Sequence, residues 1–280
     1  MMMNYYKLLK SVLSSILICL SFGAVNANAA DYKDGDLHKN DYGWLQLNLM
    51  QSVDAKLPYN IKNDTYLETE FGARYGVLDL YGYVDIFDIF DRKHDDRYGG
   101  DNFFAKISPR ISLDGLFQSD LSFGAVKELY IANVNNIGDR ELFEQYLGIG
   151  ADVDVPWFGM MGMNVYARYV RENYNEPNEG KWDGYMYSTS WSKPIYQFSD
   201  QSTINYQGYF DYQFGANKIT NNSLYSNNAI EWYNGFYLHT DHMALGYGLK
   251  YFHNMSLIKN NSGAGKTSGI GHYFSVSYKF

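Results

Sequence analysis

The residues best placed to do chemistry recur at every second position. Tyr66, Glu68, Glu70 and Arg74 share one parity, as do Tyr81, Tyr83, Asp85 and Phe87. Phe104, Lys106 and Arg110 form a third set, Glu128 and Tyr130 a fourth, Glu231 and Tyr233 a fifth, and Arg168 holds the same phase in its own segment. These sets mix rings with carboxylates and cations, which is the equipment of binding rather than of bond-breaking. An aromatic face stacks on a flat partner for about 1–3 kcal/mol, and neighbouring charged groups fix that partner's polar edge. Several weak sites in series would pass a solute along without trapping it. Rings and paired charges are equally good filler for a bore, so the pattern alone supports either reading.

The elements that must position these residues are strands. A period of two puts alternate side chains on opposite faces, and here the intervening residues are apolar: Leu67 and Phe71; Leu80, Val84 and Ile86; Phe103, Ile107 and Ile111. The last stretch, Gly269–Phe280, places Ile270, Phe274, Val276, Tyr278 and Phe280 on one face and Gly271, Tyr273, Ser275, Ser277 and Lys279 on the other. A strand that ends on an aromatic residue matches the terminal signal read by the machinery that inserts outer-membrane barrels. The fold expected is all-β: a single-chain antiparallel transmembrane β-barrel of about twelve strands, with both termini on the periplasmic side.

Residues 1–29 read as a cleaved signal peptide. Lys7 and Lys10 open it, Leu8–Val25 is apolar, and Ala27-Asn28-Ala29 supplies the small-x-small processing site. Residues 30–280 form the barrel. Cys19, the single cysteine, lies in the leader with bulky Ile18 before it, so neither a lipoprotein site nor a disulfide is expected. Tyr (28) and Phe (17) are abundant and Pro (5) is scarce, as membrane strands with aromatic girdles require. The formal charge of −8 argues against nucleic acid as a partner.

Taken in order, the expected strands are Gly43–Gln51, Asp64–Tyr75, Asp79–Phe90, Asn102–Leu113, Phe123–Asn133, Glu141–Asp152, Met160–Arg171, Trp182–Trp191, Ser202–Phe214, Asn228–Leu238, His242–Met255 and Gly269–Phe280. Pro109 lacks a donor and predicts a bulge or a broken ladder. Asp91–Asp101 and Gly215–Asn227 read as solvated outer loops. Three decoys do not mature into sites. Gly263-Ala264-Gly265-Lys266-Thr267 resembles the end of a phosphate loop, but Asn260 stands where its first glycine belongs. His239 and His242 flank a turn with no third metal ligand, and Ser275 and His272 fall on opposite faces. No metal, cofactor or catalytic residue is expected.

Several segments are similar to the Tsx-like nucleoside-specific channel family, in particular its OmpK branch. They include Thr65-Tyr66-Leu67-Glu68, Leu80–Asp88, Gly100–Phe104, Gly180–Tyr185, Tyr206–Tyr209, Glu231–Gly235, Gly246–Tyr251 and Gly271–Phe274. The resemblance covers essentially the whole mature chain. It implies a monomeric twelve-stranded outer-membrane channel for nucleosides, surrounded by lipid and lipopolysaccharide, with outer loops that phages could use as receptors. It does not assign solute-binding positions, so the lumen set above stands on parity. Two rivals are a surface barrel serving as receptor or adhesion platform with little transport, and a barrel enzyme.

Overall fold

The structure is a computed structural model and describes residues 32, 34–90, 102–139, 141–219 and 223–280. The expected signal peptide and the loop Asp91–Asp101 lie outside the described residues, as do residues 220–222 of the Gly215–Asn227 loop. Among the described residues, twelve strands form one closed barrel. They are β1 (Tyr42–Val53), β2 (Asp64–Tyr75), β3 (Leu78–Ile86), β4 (Phe103–Ser112), β5 (Val126–Gly138), β6 (Leu142–Val155), β7 (Gly159–Asn173), β8 (Lys181–Gln197), β9 (Thr203–Phe214), β10 (Asn228–His239), β11 (Met243–His253) and β12 (Gly269–Lys279). Each pairs antiparallel with the next, and β12 returns to β1 with Leu49 opposite Val276. Closure leaves no unpaired sheet edge in the bilayer, where an unsatisfied backbone group would cost several kcal/mol.

The outer wall is apolar. Leu49, Ile131, Leu147, Ile149, Val165, Leu245 and Val276 all project outward with much of their surface uncovered, Ile149 at 70%. Only lipid would remove that surface from water. Rings gather near both ends of the wall. Phe158, Trp191, Tyr206 and Phe236 make one group, with Trp191–Tyr206 centroids 6.0 Å apart. Tyr185, Phe214 and Tyr212 make the other at 5.7 and 5.2 Å. These positions fit aromatic belts at the two membrane interfaces. The end that carries both termini has tight connections, such as 76–77 and 156–158, while the opposite end carries 54–63, 215–227 and 254–268. Short turns mark the periplasmic side in such barrels, so the opposite end is the outer one.

Several expected boundaries move. β3 stops at Ile86 rather than Phe90, although Phe87 still packs on Tyr66 with centroids 5.3 Å apart. β5 begins at Val126 and runs to Gly138, instead of Phe123 to Asn133. The cause lies just before it, in a short helix α1 (Leu113–Phe117). Ser112 caps that helix by accepting from the Gly115 amide at 3.0 Å. The Asp114 carboxylate then accepts from the amides of Leu121 and Leu129 at 2.6 and 3.0 Å, folding the excursion back on the barrel. Pro109 breaks the ladder to β5 without bulging it: Ile107 pairs Asn135 and Arg110 pairs Ala132 in one register, while Ser108 and Pro109 pair only with β3.

β8 is longer than expected, ending at Gln197 rather than Trp191, and carries a bulge that parity did not predict. Ala167 pairs Tyr185 while Tyr169 pairs Trp182, so β8 holds one extra residue there. Gly184 takes φ +91°, and a Cβ would lie 2.8 Å from the Phe214 carbonyl. Only glycine fits that backbone. The bulge puts both Trp182 and Tyr185 on the outer wall and turns Asp183 inward, where it is buried.

Candidate solute path in the barrel lumen

The inward residues divide the bore into two sectors. Behind β5–β8, Ala132, Val134, Tyr146, Tyr166 and Met186 pack into one dry cluster in which Tyr146 is fully buried. Below it, toward the periplasmic end, lies a network of paired charges. Arg74 Nη2 donates to Glu128 Oε1 at 2.5 Å and to the Tyr130 hydroxyl at 3.2 Å. Arg110 donates from Nε to Asp79 and from Nη1 to Asp152, both at 2.9 Å, and lies 3.9 Å from the Tyr130 ring centroid. Tyr130 donates to Asp152 at 2.7 Å. Tyr32, ahead of the first strand, enters the same mouth and donates to the Gly76 carbonyl at 3.2 Å. Above the dry cluster, Arg168 pairs with Glu144 and donates to the Asp183 carbonyl at 3.1 Å, a contact the β8 bulge creates. Charges buried this deeply are tolerable because each has a partner of opposite sign and further hydrogen bonds.

The other sector is lined by β9–β12 and β1–β4. One of its walls is a ladder of rings that climbs the bore: Trp44 to Tyr81 at 6.3 Å between centroids, Tyr81 to Tyr83 at 6.4 Å, and Tyr83 to Phe104 at 6.1 Å. Facing it, Tyr209 stacks on Tyr233 at 5.8 Å and 23°, and Tyr233 meets Tyr273 edge-on at 6.1 Å. The Tyr233 and Tyr237 hydroxyls lie 2.5 Å apart. Between the walls sit two carboxylates. Asn48 donates to Glu68 at 2.7 Å and to Glu70 at 3.2 Å, Gln46 also donates to Glu70, and Tyr81 donates to Glu70 at 2.8 Å. Lys250 pairs with Glu231 at 2.5 Å and stands 5.4 Å from the Tyr209 centroid. Tyr81 keeps 38% of its surface, and because it points inward that surface is open to the lumen.

A crossbar separates the two sectors. Lys106 on β4 reaches over the bore to Asp211 on β9, Nζ to Oδ2 3.5 Å, and its ammonium lies 6.0 Å from both the Tyr83 and the Tyr209 centroids. Asp211 also accepts from Ser188 at 2.5 Å.

The sixteen parity-derived positions therefore separate into groups. Glu68, Glu70, Tyr81, Tyr83, Phe104, Glu231 and Tyr233 line the accessible sector, with Lys106 at its border. Tyr66 and Asp85 face the same sector but are buried, and Phe87 lies beyond the strand against Tyr66. Arg74, Arg110, Glu128, Tyr130 and Arg168 belong to the packed sector. Trp44, Tyr209, Tyr273 and Lys250 complete the accessible walls and were absent from that set. Their inward parity was the available signal, but nothing local distinguishes them from filler.

The decoys resolve by geometry. Gly263–Thr267 lies in the 254–268 loop, where Ser262 and Gly265 form an isolated bridge and no helix follows. His239 stacks on Tyr237, and His242 on Tyr278. His272 sits on the outer wall against the Tyr247 hydroxyl at 2.9 Å, with Ser275 turned to the lumen.

Residues 39–280 match the family described as "Nucleoside-specific channel-forming protein, Tsx". The chain belongs to this family. It is 45% identical to outer membrane protein OmpK of Vibrio parahaemolyticus over 97% of this chain and 99% of that one. It is 32% identical to the nucleoside-specific channel-forming protein Tsx of Salmonella typhimurium over 98% and 99%. Among solved structures, the NanC porin superposes with a TM-score of 0.51 at 8% identity, covering 84% of this chain and 100% of that one, which is a likeness of fold. The chain is an outer-membrane barrel of the OmpK branch, and its Tsx relatives are named for a channel.

Proposed function

We propose that the chain is a passive outer-membrane channel for nucleosides, and that the solute passes through the accessible sector alone. The observation that carries this reading is the pair of facing aromatic walls, Trp44–Tyr81–Tyr83–Phe104 and Tyr209–Tyr233–Tyr273, with Glu68 and Glu70 between them. A nucleobase is flat and carries ring donors, and its ribose carries hydroxyls. The rings offer stacking faces at successive heights, and the carboxylates accept from whatever donors the solute presents. Each contact is weak and each has a successor, so a gradient suffices to drive the flux and no cofactor or energy source enters.

The relatives' names agree with this solute class. The packed sector would then be scaffold, holding the barrel's cross-section while the solute uses the rest. The same reading makes the functional unit a monomer, the final strand its insertion signal for the barrel-assembly machinery, and the outer loops its exposed docking surface for phage.

The test is single-channel current across a planar bilayer during titration with adenosine, thymidine and a sugar of similar size. Current blocked by the nucleosides and not by the sugar, with block weakened in Tyr81→Ala, is the expected result. An open pore indifferent to nucleosides would make the barrel a general porin. Absence of current would turn it into a surface receptor.

A further inference from the structure

The outer wall carries a polar pocket that the solute path does not use. Asn133 and Asn135 on β5 and Gln145 on β6 share the lipid-facing side, since Asn133 pairs Leu147 and Asn135 pairs Gln145 in a row that continues into exposed Ile149. Asn133 and Gln145, with Leu147, Tyr169 and Trp182, line a cavity of about 260 Å³, and Asn135 bridges the two amides. Tyr169 and Trp182 form its side, with centroids 5.3 Å apart.

The three carboxamides are wired in one direction. Asn133 Nδ2 donates to the Tyr146 carbonyl at 2.7 Å, Asn135 Nδ2 donates to Asn133 Oδ1 at 2.6 Å, and Gln145 Nε2 donates to Asn135 Oδ1 at 3.1 Å. The chain ends at the Gln145 carbonyl oxygen, which remains as an acceptor at the pocket. Two other amide or imidazole groups on this wall are closed off: Asn234 by the Tyr206 hydroxyl at 2.5 Å, His272 by that of Tyr247 at 2.9 Å. Polar side chains facing hydrocarbon are costly unless satisfied, and where they occur they mark recognition.

The height of the pocket narrows the ligand. Gln145 lies three residues inside the outer end of β6, about 10 Å along a strand. A strand needs about 9–11 residues to cross the hydrocarbon core and β6 has 14, which puts Gln145 close to the boundary between headgroups and acyl chains in the outer leaflet. Just above it stands Arg171, packed 4.9 Å from the Phe143 centroid and more than half exposed, with its Nε 3.9 Å from the neighbouring Glu172 carboxylate. From top to bottom the wall thus offers a cation, a hydrogen-bond acceptor between two rings, and an aliphatic floor.

We infer that this pocket binds one glycolipid of the outer leaflet, whose anionic sugar meets Arg171 and whose amide-linked, hydroxylated acyl chain donates to Gln145 and runs down over Leu147. A phospholipid ester supplies no donor at that depth. The site is independent of the lumen, so it holds or fails whatever solute the channel takes.

The experiment is native mass spectrometry of the full barrel released from detergent after equilibration with lipid A or, separately, with phosphatidylglycerol. Wild type should retain one lipid A per barrel in preference to phosphatidylglycerol. Gln145→Leu should cut that retention about fivefold, the loss of one net hydrogen bond, with phosphatidylglycerol retention unchanged. Trp182→Leu, which keeps the wall apolar but removes a ring, gives a second variant if Gln145→Leu fails to fold, and heat-modifiable gel migration checks folding in both. Equal retention of the two lipids, or lipid A retention unaltered in a folded variant, would overturn the proposal. So would a barrel dimer that the substitutions dissociate, since the pocket would then be a contact between copies of the chain.

Discussion

The two sectors of the bore are built from the same residue types with opposite consequences. Behind β5–β8, Tyr130, Tyr146 and Tyr166 are sealed in, and the carboxylates Glu128, Glu144 and Asp152 are bound to arginines. Along β9–β12 and β1–β4, Tyr81, Tyr83, Tyr209 and Tyr233 keep surface toward the lumen, and Glu68 and Glu70 are held by amides and a tyrosine hydroxyl. The difference lies in the cation. Arginine ties a carboxylate into a fixed, multiply bonded pair, whereas neutral donors orient it and leave its charge to attract a solute. Tyrosine in a barrel is therefore neither filler nor site by type; its neighbours decide.

The largest expected effects come from breaking the packed sector. Glu128→Ala would strand the Arg74 guanidinium in a buried site, and losing one partner of such a pair costs about 3–5 kcal/mol. The urea midpoint of the refolded barrel should fall accordingly, while nucleoside block of any folded fraction stays at its wild-type strength. Tyr146→Ala removes a fully buried ring from the dry cluster. Truncations of this size cost about 3–5 kcal/mol, and this one should also open a second passage, seen as raised conductance that nucleosides no longer block completely. If Tyr146→Ala leaves conductance unchanged and Glu128→Ala abolishes nucleoside block, the division of labour between the sectors is wrong.

The accessible sector should respond the other way. Tyr81→Ala removes the centre of the ladder and its hydrogen bond to Glu70. Stacking worth about 1–3 kcal/mol predicts nucleoside block weakened by roughly five- to 150-fold. Because the ring is partly exposed, stability should change by less than about 1 kcal/mol. Trp44→Ala should weaken block in the same direction, since that ring neighbours Tyr81 in the same ladder, across Gly72. A Tyr81→Phe variant that blocks normally would place the effect in the ring; one that blocks as poorly as alanine would place it in the hydroxyl and Glu70.

Most of the barrel was legible because a period of two is a local property. Tyr66, Glu68 and Glu70 against Leu67, Thr69 and Phe71 declare their faces without knowledge of any partner strand. Boundaries failed where side chains far along the chain intervened, as at β5, whose start depends on Asp114 holding the Leu129 amide. The bulge at Asp183-Gly184 was invisible to parity because it is the place where parity breaks. The sorting of the lumen was not legible either. Whether an inward tyrosine is sealed depends on what stands across the bore, and that follows from closure and stagger of the whole sheet. Lys106 meets Asp211 across four intervening strands, a proximity no sequence spacing announces.

That crossbar gives the finest test of the comparison. The Lys106–Asp211 pair is single and 3.5 Å long, its ammonium is partly exposed, and Asp211, though buried, keeps its hydrogen bond from Ser188, so losing the lysine should cost no more than about 1 kcal/mol. Its position matters more than its energy, because it stands between the packed cluster and the two tyrosines that flank the path. Lys106→Met keeps an unbranched side chain of similar length and removes the charge. If the crossbar only fills space, conductance and nucleoside block should both match wild type. If it sets the electrostatics of the path, removing one cation from a bore that already holds Glu68, Glu70, Asp211 and Glu231 should raise cation over anion selectivity. That shift would appear as a displaced reversal potential in a salt gradient, with the urea midpoint unmoved. The second outcome is the one expected, since Lys106 and Lys250 are the ammonium groups beside the Tyr209 ring and Lys250 is already bound to Glu231.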